Sequence, residues 1–292
     1  MSQWRASLIA VALCLLSACA EPQEPASAVE AHSRVVTLAP NLTELTYAAG
    51  AGSALVGASA YSDYPAAASE LPLVGDAFTV DQERLALLKP DLLLAWESGT
   101  PAHIIDELRS LGYRVEVLRT RSLDDVAAAL GRIGALTGQS AAANRAAAAY
   151  AEALQSIREA HAGQDEVTVF YQVSARPLYT VNGQHYISEM ISLCGGKNVF
   201  EDLNELAPSI AVEAVVERDP EVMLASTDAG EGAFAEWSRW PGMAANRYAN
   251  HFLMPADEIG RATPRIVQAA TAICDALKTA RERMAVDVMP AQ

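Results

Sequence analysis

A phrase that occurs twice, at residues 83–95 and 213–225, constrains the fold more than any other feature of this sequence. In each copy a glutamate opens the phrase, a proline followed by an acid stands in its middle, and an apolar run ends in alanine. Each copy predicts a helix, a proline stop and a buried strand. Because solenoid units recur every ~20–50 residues, a repeat spaced this far apart predicts two lobes of like topology, with a ligand cleft between them.

Residues 34–138 alternate strand and helix signals and predict the N-terminal lobe. The β-branched run that starts at Val35 predicts a strand, and Asn41 with Glu44 has the spacing of a helix capping box. Ser122, followed shortly by two aspartates, predicts the cap of another helix. The segment therefore predicts β-α-β-α order.

An alanine-rich stretch at 139–163 separates this segment from a second one of the same kind. Its residues 140–162 contain neither glycine nor proline, which predicts one helix of about six turns. Strand and helix signals alternate again over 164–285, the predicted C-terminal lobe, and 286–292 are interpreted as a tail. The predicted fold class is α/β, with two Rossmann-like lobes joined by a single long backbone helix and the ligand cleft between them.

The first residues have the pattern of an export signal. Arg5 precedes an apolar run over 8–16, and small residues follow around Cys19. The apolar run is too short to span a bilayer. We interpret 1–19 as a signal peptide, which predicts a periplasmic protein.

Two ways of processing this leader fit the sequence. Leu16-Ser17-Ala18-Cys19 has the pattern of a bacterial lipobox, which predicts lipid modification of Cys19 and attachment to a membrane. The small residues on either side of Cys19 also fit ordinary cleavage after Ala20. Residues 20–33, rich in proline, alanine and glutamate, predict a flexible tether.

Length, charge and motifs exclude several classes of function. The chain has 292 residues, which is long enough for two hydrophobic cores. With a net charge of -15 and no cluster of basic residues, it is a poor match for phosphate backbones, so we expect no nucleic-acid partner. P-loop, dinucleotide and G-x-S-x-G motifs are absent from the sequence, and its five histidines are scattered. We therefore expect neither an enzyme nor a cofactor nor a metal site.

The cysteines suggest one disulfide. Removal of the leader takes away Cys14 and lipidation would occupy Cys19, which leaves Cys194 and Cys274 in the mature domain. Two cysteines in an oxidising compartment favour a bridge. Two buried thiols remain the alternative, because the sequence alone does not place the two Cα atoms within bridging range.

Five segments between about Arg34 and Leu277 resemble a known family. They are VTLAPNLTEL, ASAYSDYP, LALLKPDLLLAW, LCGGKNVF and GRATPRIVQAATAIC. The chain is similar over nearly its whole mature length to the periplasmic cobalamin-binding proteins of the vitamin importers. The resemblance implies two α/β lobes, one rigid linking helix, and cobalamin or a related corrinoid as the ligand. Relatives in the wider class carry ferric siderophores and haem.

The resemblance also implies which residues meet the ligand. Aromatic side chains wall the cleft in this family, and a flat apolar face suits a macrocycle because stacking contributes about 0.5–1.5 kcal/mol per pair beyond burial. In the same family, a pair of polar side chains later in the chain faces the ligand and can hydrogen-bond its amides or its nucleotide loop. The ligand residues that the resemblance implies for this chain are Tyr61, Trp96, Tyr179, Asp257 and Arg261. Tyr64, next to Pro65, is a further candidate for the aromatic wall. For Trp96, which ends a predicted strand, ordinary core packing is the alternative.

Two positions depart from the family pattern. Ala77 and Ala207 stand where the cobalamin binders place tryptophans at the rim of the cleft, although Phe78 is adjacent to the first. Such a change predicts a wider pocket or an altered affinity. Trp237 and Trp240 are candidates to compensate, with surface packing as the alternative.

The resemblance gives the two repeated glutamates a role. Glu83 and Glu213, one per lobe, are implied to be docking carboxylates that meet arginines of the permease of an inner-membrane ABC importer. The alternative is an acid favoured by the helix dipole, worth about 0.3–1 kcal/mol. The family also implies that Cys194 and Cys274 form a disulfide.

These observations support one leading hypothesis and two rivals. The leading hypothesis is a monomeric, non-enzymatic receptor that captures a corrinoid and delivers it to an importer. The first rival keeps the receptor but changes the ligand to a ferric siderophore or haem, with Arg176 and Arg261 as anion contacts. The second is a periplasmic enzyme, which would turn its ligand over.

Overall fold

The computed structural model describes residues 31–288. The predicted signal peptide, the lipidation of Cys19 and most of the predicted tether lie outside the described residues. No helix within 31–288 combines the length and the apolar character needed to cross a bilayer.

Helices and strands alternate along the described chain. The strands are β1 (Val35–Thr37), β2 (Leu55–Ala58), β3 (Leu92–Trp96), β4 (Val115–Leu118), β5 (Val167–Gln172), β6 (Ser174–Ala175), β7 (Leu178–Tyr179), β8 (Gly196–Asn198), β9 (Val222–Ser226) and β10 (His251–Met254). The helices are α1 (Pro40–Ala48), α2 (Gln82–Leu88), α3 (Ala102–Ser110), α4 (Leu123–Thr137), α5 (Ser140–Ala160), α6 (Tyr186–Leu193), α7 (Val212–Arg218), α8 (Ala244–Arg247), α9 (Ala256–Gly260) and α10 (Ile266–Val288).

Two four-stranded parallel sheets have the same strand order. The first runs β2-β1-β3-β4, and the second runs β8-β5-β9-β10. In each, the first strand along the chain lies beside the second on one side and the third on the other. The two α/β lobes of like topology that the sequence predicted are therefore present, and α5 stands between them in the chain. Helix α10 continues into the segment that we interpreted as a tail.

The repeated phrase folds as predicted in both lobes. Helix α2 and strand β3 form the first copy, and α7 and β9 form the second. Each helix ends at a left-handed residue, Lys89 with φ 46° and Asp219 with φ 40°. Local sequence alone specifies this unit, because the proline after each helix stops it from continuing.

The acid that follows each proline has a structural role that the sequence analysis did not assign. The carboxylate of Asp91 accepts hydrogen bonds from the backbone N–H groups of Ser33 and Arg34, at 3.0 and 3.2 Å. In the other lobe, Glu221 accepts from the N–H of Thr168 at 2.8 Å. Each acid therefore fixes the start of the central strand of its sheet.

Of the two predicted helix caps, one is confirmed and one is wrong. Ser122 and Asp125 form a reciprocal capping box at the start of α4. No such box forms at α1, because Pro40 occupies the first helical position and Ala39 is the cap residue. Asn41 and Glu44 are buried and turn to other partners.

Successive residues of the strands point to opposite, equally buried faces of each sheet. In β3, Leu92 and Leu94 contribute to one core and Leu93 to another. The outer faces have separate cores, around Leu93 in the N-terminal lobe and Phe170 in the C-terminal lobe. The inner faces share a third core, to which α1, α4, α5, α6 and α10 all contribute.

The shared inner core corrects the expectation of two cores. Helix α5 packs along α4 and also contacts α10, and α4 contacts α6. These helices form one continuous apolar layer that crosses from lobe to lobe. The sequence pattern predicts that both faces of a strand are buried, but it does not show which helices cover both sheets.

Cys194 and Cys274 form a disulfide in the structure. Their Cα atoms lie 4.8 Å apart, and the bridge joins the end of α6 to the middle of α10 within the C-terminal lobe. Both cysteines are buried. The pairing implied by the family resemblance replaces the alternative of two thiols.

Replacing both cysteines, Cys194→Ala with Cys274→Ala, is expected to lower the free energy of unfolding by about 2–5 kcal/mol, because the bridge closes a long loop of the unfolded chain. Urea denaturation of the mature protein measures the change against the oxidised wild type, and the reduced wild type, which also lacks the bridge, should be destabilised in the same direction. An unchanged denaturation midpoint would show that the bridge does not stabilise the lobe.

Candidate functional site

The predicted ligand residues lie at one edge of each sheet. Trp96 ends β3, Tyr61 follows β2, and Tyr179 ends the short hairpin that follows β5. Asp257 lies in α9, directly after β10. Because parallel strands present their carboxyl ends at a single edge, all four belong to the carboxyl edges of the two sheets, where α/β proteins bind their ligands.

Two sets of contacts bring these carboxyl edges face to face. Beyond β2 and β10, Arg261 donates a hydrogen bond to the carboxylate of Asp63 at 2.6 Å. Beyond β4, the carbonyl of Arg121 accepts from the N–H of Tyr186 at 2.7 Å, and Glu189 of α6 accepts from the N–H of Leu123, also at 2.7 Å. These two sets of contacts join the lobes to each other at opposite flanks. The carboxyl ends of the central strands therefore face a cleft between the lobes.

Several aromatic rings at this cleft remain exposed. Tyr61 is 80% exposed, Tyr64 46% and Tyr179 36%. Trp96 is only half-buried and packs against the shared inner core. Its ring also lies close to Gly99, where an added Cβ would come within 2.1 Å of Cε3. Trp96 therefore serves partly as a core residue while keeping part of its surface at the edge of the cleft.

The backbone of Tyr61 is in the left-handed region, with φ 65°. A bulky residue in this region is strained by about 1–3 kcal/mol and persists only where its surroundings enforce it. The preceding residue, Ala60, donates its N–H to the carbonyl of Gly75 at 2.7 Å, which ties the loop to a neighbouring turn. Strain of this kind often accompanies a functional position.

Phe78 is an exposed ring that the set of predicted ligand residues omitted. It is 73% exposed at the tip of the turn that holds the Tyr61 loop. The carboxylate of Asp76 accepts hydrogen bonds from the N–H groups of Phe78 and Thr79, at 2.9 and 2.8 Å, which closes the turn at its tip. A glycine followed by an aspartate that bonds its own backbone is a turn signal in the sequence. It indicates the turn but not the cleft beside it.

The two tryptophans proposed to compensate for Ala77 and Ala207 do not reach the cleft surface equally. Trp237 is buried in the outer core of the C-terminal lobe, and its indole N–H donates to Gln172 at 2.7 Å. Trp240 is half-buried and packs against Trp237. The suggestion that Trp237 compensates is therefore wrong, because its ring and its N–H are both occupied.

An open depression of about 620 Å³ lies at the carboxyl edge of the second sheet. The ends of β5 and β9 and the start of α9 form its walls. Its lining includes Tyr171, Gln172, Ser226, Asp228, Ala256 and Gly260. Backbone and hydroxyl groups here can hydrogen-bond a bulky ligand that the exposed rings contact from the other lobe.

Arg261 is the centre of an ion-pair network and not a solvent-facing cation. Its guanidinium contacts the carboxylates of Glu44 at 2.8 Å, Asp63 at 2.6 Å and Asp257 at 3.1 Å. Burial opposes the charge on Arg261, but hydrogen bonds to Asp63 and Glu44 outweigh it and raise its pKa. The same contact with Arg261 lowers the pKa of Asp63. The predicted pair of Asp257 and Arg261 is thus part of a larger cluster that crosses the cleft flank.

The opposite flank carries a carboxylate with the reverse shift. Burial raises the pKa of Glu189, against the hydrogen bond from Leu123, and the charges of Asp124 and Asp125 raise it further. The carboxylate of Glu189 lies against the N-terminus of α4, where the helix dipole favours the ionised form. Glu189 therefore ties α6 to α4 although burial and the neighbouring aspartates disfavour its ionised form.

Glu83 and Glu213 occupy equivalent places in the two lobes. Each is exposed in the first turn of its helix, α2 or α7. Both helices begin at the carboxyl edge of their sheet, so the two carboxylates flank the cleft on the outer side. Neither makes a side-chain hydrogen bond or ion pair with another residue of the described chain.

Comparison with known proteins identifies the family to which this architecture belongs. The model of the periplasmic binding protein family matches residues 35–255. The chain belongs to the periplasmic binding protein family. Within it, the chain is 34% identical over 251 residues to the vitamin B12-binding protein of Vibrio cholerae serotype O1 (strain ATCC 39541 / Classical Ogawa 395 / O395), which covers 86% of this chain and 91% of that protein. A vitamin B12-binding protein of Yersinia pestis (strain Pestoides F) is 35% identical over 255 residues, covering 86% and 87%.

Solved structures of this family share the fold. The crystal structure of the periplasmic vitamin B12 binding protein BtuF of Vibrio cholerae aligns with a TM-score of 0.78 and 34% identity, covering 86% of this chain and 98% of that one. The periplasmic heme binding protein HutB of Vibrio cholerae aligns with a TM-score of 0.73 and 20% identity, covering 84% and 98%. At that identity the second match shows the fold alone.

One histidine lies at the junction of the lobes. His185 is half-buried, caps α6 by accepting the N–H of Ile187 at 3.2 Å, and packs against the ring of Tyr186. Burial lowers its pKa from 6.5 to about 4. Among residues 31–288, histidine, cysteine and acidic side chains do not gather in threes as a metal ion would require.

Stability is expected to fall as the pH drops from about 6.5 to 4, since unfolded chains protonate His185 in this window and the folded protein does not. The slope is up to about 1.4 kcal/mol per pH unit. His185→Asn, which keeps a capping side chain, should flatten the dependence in urea denaturation at several pH values. His103→Asn, at an exposed position, is the control. Equal slopes for His185→Asn and the wild type would contradict the assignment.

Proposed function

We propose that this protein is a periplasmic receptor that captures cobalamin or a related corrinoid and delivers it to an inner-membrane ABC importer. The observation that carries the proposal is a cleft lined by exposed aromatic rings, in a chain 34% identical over 86% of its length to a vitamin B12-binding protein. The rings of Tyr61, Phe78 and Tyr179 supply the flat apolar contacts that a macrocycle needs. In this proposal, a corrinoid stands between the lobes.

The polar groups of the cleft suit the periphery of a corrinoid. A corrin ring carries neutral amides, which pair with hydrogen-bond acceptors and donors and do not require a counter-ion. Asp257, with half of its side chain exposed, can accept from an amide while it remains paired with Arg261. Ser226, at the end of β9, lines the depression in which such amides would lie.

The pairing of the arginines favours this ligand over haem or a ferric siderophore. Arg261 is bound by three carboxylates, and Arg176 is paired with Glu236. Haem propionates and siderophore anions need cationic partners, and they would have to compete with these acids. The two arginines that an anionic ligand would use are therefore already occupied by carboxylates of the same chain.

Cyanocobalamin is expected to bind the mature protein saturably, with a calorimetric heat and a change in tryptophan or tyrosine fluorescence. The double variant Tyr61→Ala and Tyr179→Ala should weaken binding by about tenfold or more, since two stacked rings are lost. Tyr248→Ala, at the amino edge of the second sheet, is the matched control and should bind like the wild type.

Haemin provides the competing test of the ligand class. It should bind more weakly than cyanocobalamin under the same conditions. Absence of any saturable signal with cyanocobalamin, or a preference for haemin, would exclude a corrinoid as the ligand.

Delivery is proposed to depend on Glu83 and Glu213. One exposed carboxylate on each lobe, at equivalent places beside the cleft, offers a permease two anchor points across the mouth of the site. A transporter that holds both lobes can sense the closed state and release the ligand by moving them apart. The ligand is expected to leave chemically unchanged, because the receptor acts as a carrier.

The charge-reversed variant Glu83→Lys with Glu213→Lys should bind cyanocobalamin normally and fail to support uptake, because it repels the basic surface that the proposal assigns to the permease. Uptake is measured in proteoliposomes that contain the cognate importer. Glu152→Lys with Glu159→Lys on α5 makes the same change in charge away from the cleft and should support uptake. Uptake by the first variant at the wild-type rate would exclude the docking role.

The proposed location is the periplasm, with the protein acting as a monomer. If Cys19 carries lipid, the chain is held at a membrane through residues 20–33, which lets the receptor reach its permease by diffusion in two dimensions. Mass spectrometry of the mature N-terminus distinguishes a lipid-modified Cys19 from cleavage after Ala20.

A further inference from the structure

The loop of residues 61–65, which we call the aromatic loop, is held by side chains of the other lobe. Asp63 accepts a hydrogen bond from Arg261 at 2.6 Å. The guanidinium of Arg265 lies over the ring of Tyr64, 4.1 Å from its centroid, where cation–π attraction operates. Arg261 and Arg265, which both precede α10, thus hold the loop that carries Tyr61.

Glu44 connects both arginines to the N-terminal lobe. Its side chain is 3% exposed, and it lies in α1, directly under the cleft flank. Its carboxylate contacts Arg261 at 2.8 Å and Arg265 at 3.3 Å, and it accepts from the hydroxyl of Thr263 at 3.1 Å. All three partners belong to the C-terminal lobe.

A buried carboxylate of this kind has a strong preference for one arrangement of the lobes. Removed from its partners, an ionised carboxylate in the interior loses far more solvation than the fold can restore elsewhere. Separation of the lobes at this flank would break all of these contacts of Glu44 at once.

We infer that Glu44 is a positioning residue for the ligand wall: by holding Arg261 and Arg265 it fixes the aromatic loop of one lobe against the other before any ligand arrives. The inference rests on the proposed function only for its effect on corrinoid affinity. It assigns to Glu44 no contact with the ligand. Instead, Glu44 sets the distance between Tyr61 and the opposite wall of the cleft.

The rest of the network can survive the loss of this charge. Arg265 keeps its pairing with Glu258 at 2.5 Å, and Arg261 keeps Asp63 and Asp257. The variant Glu44→Gln therefore retains a folded protein with paired arginines but lacks the shared anion in α1. The lobes then sample several separations, and only part of the population presents the closed wall, which weakens apparent affinity in proportion.

Spin labels on Ser69→Cys and Glu217→Cys, two exposed positions in different lobes, report the separation by electron-spin distance measurements. In ligand-free protein, Glu44→Gln should broaden the distance distribution, and saturating cyanocobalamin should narrow it again. Cyanocobalamin should bind this variant about tenfold more weakly than the wild type. Asp202→Asn, which breaks the ion pair of Asp202 with Arg218 inside one lobe, is the matched control and should change neither quantity.

Thr263→Val removes a single hydrogen bond to Glu44 and serves if Glu44→Gln does not fold. It should shift both measurements in the same direction by a smaller amount. A distance distribution and an affinity equal to those of Asp202→Asn would overturn the inference, even with a lowered melting temperature, because that result describes a purely structural residue. If the wild type does not bind cyanocobalamin, the proposed ligand fails while the ligand-free distances still decide the role of Glu44.

Discussion

The apolar layer shared by the two lobes is the interaction on which the rest of the structure depends. Helices α4, α5, α6 and α10 pack into one core that touches the inner face of both sheets. Because interiors of this kind are close-packed and resist deformation, this layer holds the lobes together and limits their relative motion. The carboxyl edges of the sheets consequently face each other, and the cleft between them exists without a ligand.

Polar contacts at the two flanks complete what the apolar layer begins. One flank uses opposite charges, centred on Glu44 and Arg261, and the other uses a helix N-terminus bound by Glu189. Both leave the middle of the cleft to aromatic rings and neutral polar groups. The chain carries a large net charge, but the basic groups that would attract an anion into the cleft are already paired with carboxylates.

Local patterns predicted most of the architecture, and distant partners account for what they missed. The phrase that contains Pro90 and its copy at Pro220 predicted two helix-strand units because proline acts on adjacent residues. Glu44 was interpreted as a capping residue, since its partner Arg261 lies 217 positions away in the chain. Phe78 was adjacent to a predicted position, but only the fold joins its turn to the segment that precedes Tyr61. The shared core was missed for the same reason, because alternation along a strand does not name the helix that covers it.

The position of α10 has a consequence for how this chain acquires its structure. The helix is the last element of the described chain, yet it packs against the linking helix α5 as well as α6 and carries one half of the disulfide. A chain made from its amino end completes the first sheet long before this helix appears. Until then the apolar surfaces of α5 and α6 that α10 covers stay open to water, so the early product exposes apolar surface that only the final segment buries.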